Sequence, residues 1–233
     1  MLNSLIKELE ELKNLEQAKI LQRFFKTGKG EYGEGDIFLG IKVPIQREIA
    51  EKYKNLNLVK IRELLKSKIH EHRLIGLIIL VKKYEKSPEK ERENLFNFYL
   101  NNTKFINNWD LVDLSAPNII GNFLLNKDRK ILYTLANSKN LWERRIAIVS
   151  TFAFIRKSDF EDALAISEIL LKDDQDLISK ATGWMLREIG KRNEKILGNF
   201  LKFHYKNISR ITLRYAIEKF PEEKRKLYLQ GKI

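Results

Sequence analysis

The chain has 233 residues, 43% apolar and 32% charged, and 44 Lys+Arg against 31 Asp+Glu leave a formal charge of +13. That apolar share excludes wholesale disorder, and four prolines with eleven glycines exclude collagen-like repetition. The absence of cysteine excludes a disulfide scaffold, a thiolate metal site, an Fe–S cluster and a cysteine nucleophile.

Helical periodicity dominates from the start. Leu2, Leu5, Ile6, Leu9 and Leu12 form a 3-4 stripe, and Leu15, Ala18, Ile20, Leu21, Phe24 and Phe25 continue it on a second helix. After Pro44 the pattern resumes in Ile45, Ile49, Ala50 and Tyr53, then in 58–65, 74–84 and 95–100. The second half repeats it in 131–136, 146–155, 163–171, 178–189, 196–205 and 211–217. Pro44, Pro88, Pro117 and Pro221 each stand where a helix can start, with Ser87 and Ser115 as N-caps. Roughly fourteen helices with short connections, and no βα alternation, predict one all-α domain over 1–233, an α-solenoid of stacked helical hairpins. The tryptophans at 109, 142 and 184 are 33 and 42 residues apart, a spacing compatible with helical-hairpin repeats.

One segment breaks the pattern. Gly28, Gly30, Gly33, Gly35 and Gly40 fall within thirteen residues, so 27–40 reads as a small loop or short hairpin. It contains the letters G-x-G-x-x-G, but it follows a helix rather than a strand, and Glu31 and Glu34 would repel phosphate. A dinucleotide site is therefore not expected. The longest apolar stretch, Leu74 to Val81, is far short of the roughly 20 residues that span a bilayer. Together with the lack of a signal-peptide core, this predicts a cytoplasmic protein. The positive charge directs the search for a partner towards nucleic acid, because no basic helix carries the Trp/Phe face of a membrane binder.

Histidine occurs at 70, 72 and 204 only, and residues two apart on a helix face differently, so His70 and His72 read as surface or packing residues. Neither a metal nor a cofactor is expected. Three stretches carry candidate chemistry. In Trp109-Asp110-Leu111-Val112-Asp113 the two aspartates share a helical face, and the Trp109 indole reaches the Asp113 side of the helix. If Ser115 caps the next helix, Asp113 lies near the end of its own, where a carboxylate opposes the helix dipole. In Trp142-Glu143-Arg144-Arg145 the arginines point away from the apolar side, either solvated or able to grip phosphate. In Lys180 to Glu188, Gly183 beside Trp184 implies close packing or close approach of a ligand, and Lys180 and Arg187 add positive charge.

In these residues the sequence resembles the DNA alkylation repair family, the AlkD-like DNA glycosylases of HEAT-like repeats. The resemblance rests on Ile37-Phe38-Leu39-Gly40-Ile41 with Pro44, Trp109-Asp110-x-x-Asp113 with Pro117, Trp142-x-x-Arg145-x-Ala147-Ile148, and Lys180-Ala181-x-Gly183-Trp184-x-Leu186-Arg187-Glu188. It implies a curved solenoid whose basic concave face cradles double-stranded DNA as a monomer. It also implies hydrolysis of the N-glycosidic bond of N3- and N7-alkylated purines without metal or cofactor. Asp113 would be the catalytic carboxylate, Trp109 and Trp184 would contact the damaged nucleotide, and Arg145 would hold a phosphate. Arg144, Lys180 and Arg187 are further DNA-contact candidates. The sequence departs from the pattern in its Gly-rich insertion and in Phe24, which replaces a tyrosine. Relatives with an extra loop here look like non-catalytic binders of branched or distorted DNA, which is the alternative reading; a HEAT-type protein scaffold is a third.

Overall fold

The computed structural model describes residues 1–232. It is all-α, with no strand among the described residues, and its packing divides the chain into two compact units, 1–115 and 116–233. The first contains α1 (Leu2–Glu11), α2 (Leu15–Phe24), α3 (Val43–Lys52), α4 (Leu58–Leu65), α5 (His70–Lys86) and α6 (Glu89–Leu100). A 3-10 turn, Thr103–Phe105, then leads to α7 (Trp109–Ala116). The second contains α8 (Lys130–Ala136), α9 (Leu141–Ser150), α10 (Phe152–Ile155), α11 (Glu161–Leu170), α12 (Asp176–Gly190), α13 (Glu194–His204), α14 (Arg210–Ala216) and α15 (Glu222–Gln230).

Local chemistry explains where several helices begin. Asn14, Asn57, Asn140 and Asn193 each accept a backbone N–H of the first turn through the side-chain oxygen, at 2.9–3.1 Å. Ser209 does the same for Thr212. Pro44 sits in the first turn of α3, where its missing N–H leaves nothing unpaired. Each unit is organised on one long helix. In the first, His70 to Val81 of α5 are all buried, and α3, α4 and α6 pack around it. In the second, α12 is central, packed by α9, α11, α13 and α14.

Several expectations are corrected. Ser87 does not cap α6: Pro88 holds the N-cap position, and the Ser87 hydroxyl donates to the Glu91 carboxylate at 3.1 Å. Ser115 does not cap a following helix: it lies inside α7, donates to the Leu111 carbonyl at 2.5 Å, and shares a 2.9 Å hydrogen bond with the buried Tyr99 hydroxyl. Pro117 does not open a new helix either, because a wider π turn, Pro117–Gly121, follows α7 directly. The proline ring cannot fit behind the carbonyl four residues earlier, so the turn opens instead of stopping. Asp113 lies in the last turn of α7 as expected, but helical backbone runs on through the π turn, so the helix dipole does not end beside it.

The Gly-rich segment is a loop, not a hairpin. Successive turns bond Glu31 N–H to Gly28, Gly33 N–H to Lys26, and Asp36 N–H to Gly33. The Glu31 and Glu34 carboxylates accept the N–H groups of Gly28 (2.9 Å) and Gly30 (2.8 Å), so the donors that a phosphate would need are already occupied. Past the loop, Ile37 makes one parallel bridge to Ile69. Gly40 has φ +87°, and a Cβ there would overlap the Asn14 carbonyl. Only glycine fits that corner.

Candidate active site

Helix α7 presents the residues singled out in the sequence. Asn108, fully buried, accepts the Trp109 N–H at 2.8 Å and donates to Asp36 at 3.1 Å. Leu111 and Val112 are buried, while Asp110 and Asp113 are half-buried. The Trp109 indole stacks on Phe25, with ring centroids 5.2 Å apart and planes within 11°. Phe24 meets the indole edge-on at 6.1 Å and leaves 62% of its own surface exposed. Behind the helix, burial, and to a lesser extent the Asp113 charge, raise the pKa of the Tyr99 hydroxyl.

Sequence reasoning missed what lies beneath this helix. His70, read as a surface or packing residue, is 2% exposed and sits between the Phe38 and Phe25 rings, with centroids at 4.5 and 5.0 Å. Its Nε2 lies 2.8 Å from the Asp110 carboxylate and its Nδ1 3.3 Å from that of Asp36. Arg73, one turn along α5, pairs with the other Asp36 oxygen at 2.7 Å. With the imidazole charged, two cations face two carboxylates and the cluster is neutral. Burial opposes that charge, as does the repulsion of Arg73. The Asp110 carboxylate and the hydrogen bonds to Asp110 and Asp36 outweigh both and raise the His70 pKa. Asp36 is held low: burial pushes its pKa up, but the His70 hydrogen bond, Arg73 and Asn108 prevail. Next to it, the fully buried Glu71 carboxylate accepts the N–H groups of Leu39, Gly40 and Ile41 at 3.0, 2.8 and 3.3 Å. The sequence signal was there: His70-Glu71-His72-Arg73 opens a helix and runs straight into eight residues with no charge. Polar residues that begin an all-buried helix must find partners.

In the second unit, neither arginine of α9 is solvated. Arg144 pairs with Asp173, Nε to Oδ2 2.5 Å, and donates to the Ser138 and Lys139 carbonyls. Arg145 is 5% exposed and donates to the Leu177 carbonyl at 2.6 Å. Trp184 is half-buried, tilted against Phe152 at 5.7 Å. Gly183 serves close packing between helices: a Cβ there would lie 2.6 Å from the Thr212 carbonyl of α14. Arg187 pairs with Glu218, while Lys180 is half-buried. No three His, Asp or Glu side chains among the described residues gather as metal ligands. No helix there is long and apolar enough to cross a membrane.

Comparison with known proteins gives a consistent result. The family model described as DNA alkylation repair enzyme matches residues 5–220. No curated protein matches. A solved structure described as a predicted DNA alkylation repair enzyme from Enterococcus faecalis shares the fold at a TM-score of 0.70 and 16% identity. The match covers 90% of this chain and 97% of that one. This chain belongs to the DNA alkylation repair enzyme family.

Proposed function

We propose that the protein is a DNA glycosylase that releases N3- and N7-alkylated purines from duplex DNA. Membership of the family supports a role in alkylation repair. The observation that carries the finer reading is a half-buried carboxylate, Asp113, four residues from an indole that is itself stacked on Phe25. An alkylated purine is already cationic. The C1′–N bond breaks with its electron pair going to the base, which departs neutral and needs little help from an acid. The positive charge moves to the deoxyribose, and a fixed carboxylate stabilises it there. Water then bonds to C1′ and gives up a proton, which Asp113 is suited to take. Trp109 and Trp184 would add indole faces to the cationic sugar and its backbone. Arg145 would hold a phosphate by turning away from the Leu177 carbonyl, with Lys180 and Phe24 as further contacts on double-stranded DNA; Arg144 and Arg187 would join them only by leaving Asp173 and Glu218.

The test is release of 7-methylguanine or 3-methyladenine from methylated duplex under single-turnover conditions, with Asp113→Asn beside the wild type. Asp113→Asn is expected to lose about a hundredfold or more in rate while retaining DNA affinity. No release by excess wild-type protein rejects the glycosylase. One observation favours the second reading, a non-catalytic binder of branched DNA. The Gly-rich loop is anchored at its base by Asp36, exposes Lys26 and Lys29, and follows directly on the exposed Phe24. Tighter binding to a junction than to plain duplex, with no base release, would select that reading.

A further inference from the structure

The loop and the candidate catalytic helix are joined by one side chain. Asp36 ends the Gly-rich loop, and Asp110 lies in the first turn of α7. As like charges these two carboxylates repel. His70 stands between them and engages Asp36 with one ring nitrogen and Asp110 with the other. Its flat faces are held as well: Phe38, just after the loop, covers one and Phe25 lies against the ring. Phe25 in turn stacks on Trp109. The imidazole thus touches the first turn of α7 by two routes, polar through Asp110 and apolar through Phe25.

We infer that His70 is a positioning residue, which pins the end of the Gly-rich loop to the first turn of α7 and so sets the orientation of Trp109 and Asp113. It is too deeply buried to touch DNA, so its effect on the reaction passes through those two side chains. An i, i+3 relation on a rigid helix transmits the constraint on Asp110 directly to Asp113. Arg73 and Asn108 complete the arrangement, Arg73 on the Oδ1 of Asp36 and Asn108 donating to its Oδ2. As a role in base release, the inference rests on the glycosylase reading; as a role in orienting Trp109, it stands without it.

The experiment compares the wild type, His70→Phe and Asp110→Asn, each as the full chain labelled with fluorotryptophan. Fluorine NMR gives one line for each of the three tryptophans; Trp109→Phe assigns the relevant one. His70→Phe keeps an aromatic ring between Phe25 and Phe38 but removes both polar links. The expected result is a shifted or broadened Trp109 line with the Trp142 and Trp184 lines unmoved. Single-turnover base release should slow about tenfold or more, with DNA affinity within about twofold of wild type. Folded variants with an unmoved Trp109 line and wild-type release overturn the inference. If His70→Phe does not fold, Asp110→Asn decides alone on the same line: movement upholds the link, no movement overturns it. A wild type that releases no base, in variants whose Trp109 line still moves, rejects the glycosylase and leaves the positioning role intact.

Discussion

His70, Asp36, Asp110 and Arg73 form a buried set of charges whose members stabilise one another, and such a set responds to pH from both sides. The His70 pKa is raised above its ordinary 6.5. Its contribution to stability is therefore full below about 6.5 and is lost as pH rises through the higher folded value. Asp36 is lowered below its ordinary 3.8. Its contribution is full above 3.8 and is lost as pH falls through the lower folded value. Arg73, Asp36 and Asp110 are the charged groups facing the imidazole. The thermal midpoint of the wild type should thus exceed that of His70→Phe most between about pH 4 and 6.5, with the gap narrowing on the alkaline side. A gap that widens as pH rises past neutrality would contradict this account. His72, two residues on, behaves differently: burial lowers its pKa, and its Nδ1 hydrogen-bonds only the Ser67 hydroxyl. Burial is shared by the two histidines, and Glu71 and Glu10 act on His72 through space; only His70 hydrogen-bonds two carboxylates directly, and only there do they outweigh burial.

At the scale of elements, glycine separates a packing role from a tolerated weakness. Gly183 lies where α12 crosses α14. A Cβ would stand 2.5 Å from that of Tyr215 and 2.6 Å from the Thr212 carbonyl, so the two helices would have to part. Gly198 is also inside a helix, α13, but the nearest atom to its Cβ would be the Tyr228 hydroxyl at 3.5 Å. Alanine favours a helix over glycine by about 1 kcal/mol at either position. Gly183→Ala should nevertheless destabilise by about 1–3 kcal/mol through overpacking, whereas Gly198→Ala should stabilise by about 0.5–1 kcal/mol. Urea denaturation of both variants checks the pair, and equal effects at the two positions would refute the distinction. The periodicity of the helices was legible because it depends on residues three or four apart, whereas the asparagine caps were not read from the sequence. The fate of Ser115 and Pro117 was not legible either. A serine before Ala-Pro reads as a cap, but the Tyr99 hydroxyl, sixteen residues away, offers Ser115 a partner inside the helix.

For the whole molecule, a charge of +13 is a statement about partners rather than fold. Several of the basic residues are already neutralised: Arg129 by Asp159 and Asp162, Arg144 by Asp173, Arg187 by Glu218. The remaining excess supports the proposed DNA partner. Affinity for duplex DNA should fall by about a thousandfold between 50 and 200 mM salt if six or more phosphates are engaged. A nearly flat salt dependence would favour the protein-scaffold reading. Arg144 is the instructive case among the candidate contacts. Its sequence neighbours marked it as free to grip phosphate, yet its guanidinium is held by a carboxylate 29 residues further along.

The sequence by itself determined the all-helical class and the family. These are recorded in short-range spacing or in motifs that keep their order along the chain. The tertiary structure alone decided which charges are partnered. The link from Asp36 through His70 to Asp110 joins residues 34 and 40 positions apart. A buried ion takes whichever opposite charge the folded chain brings within reach, because isolation in a low-dielectric interior is too costly to persist. That choice depends on the path of the backbone, and no local pattern encodes it.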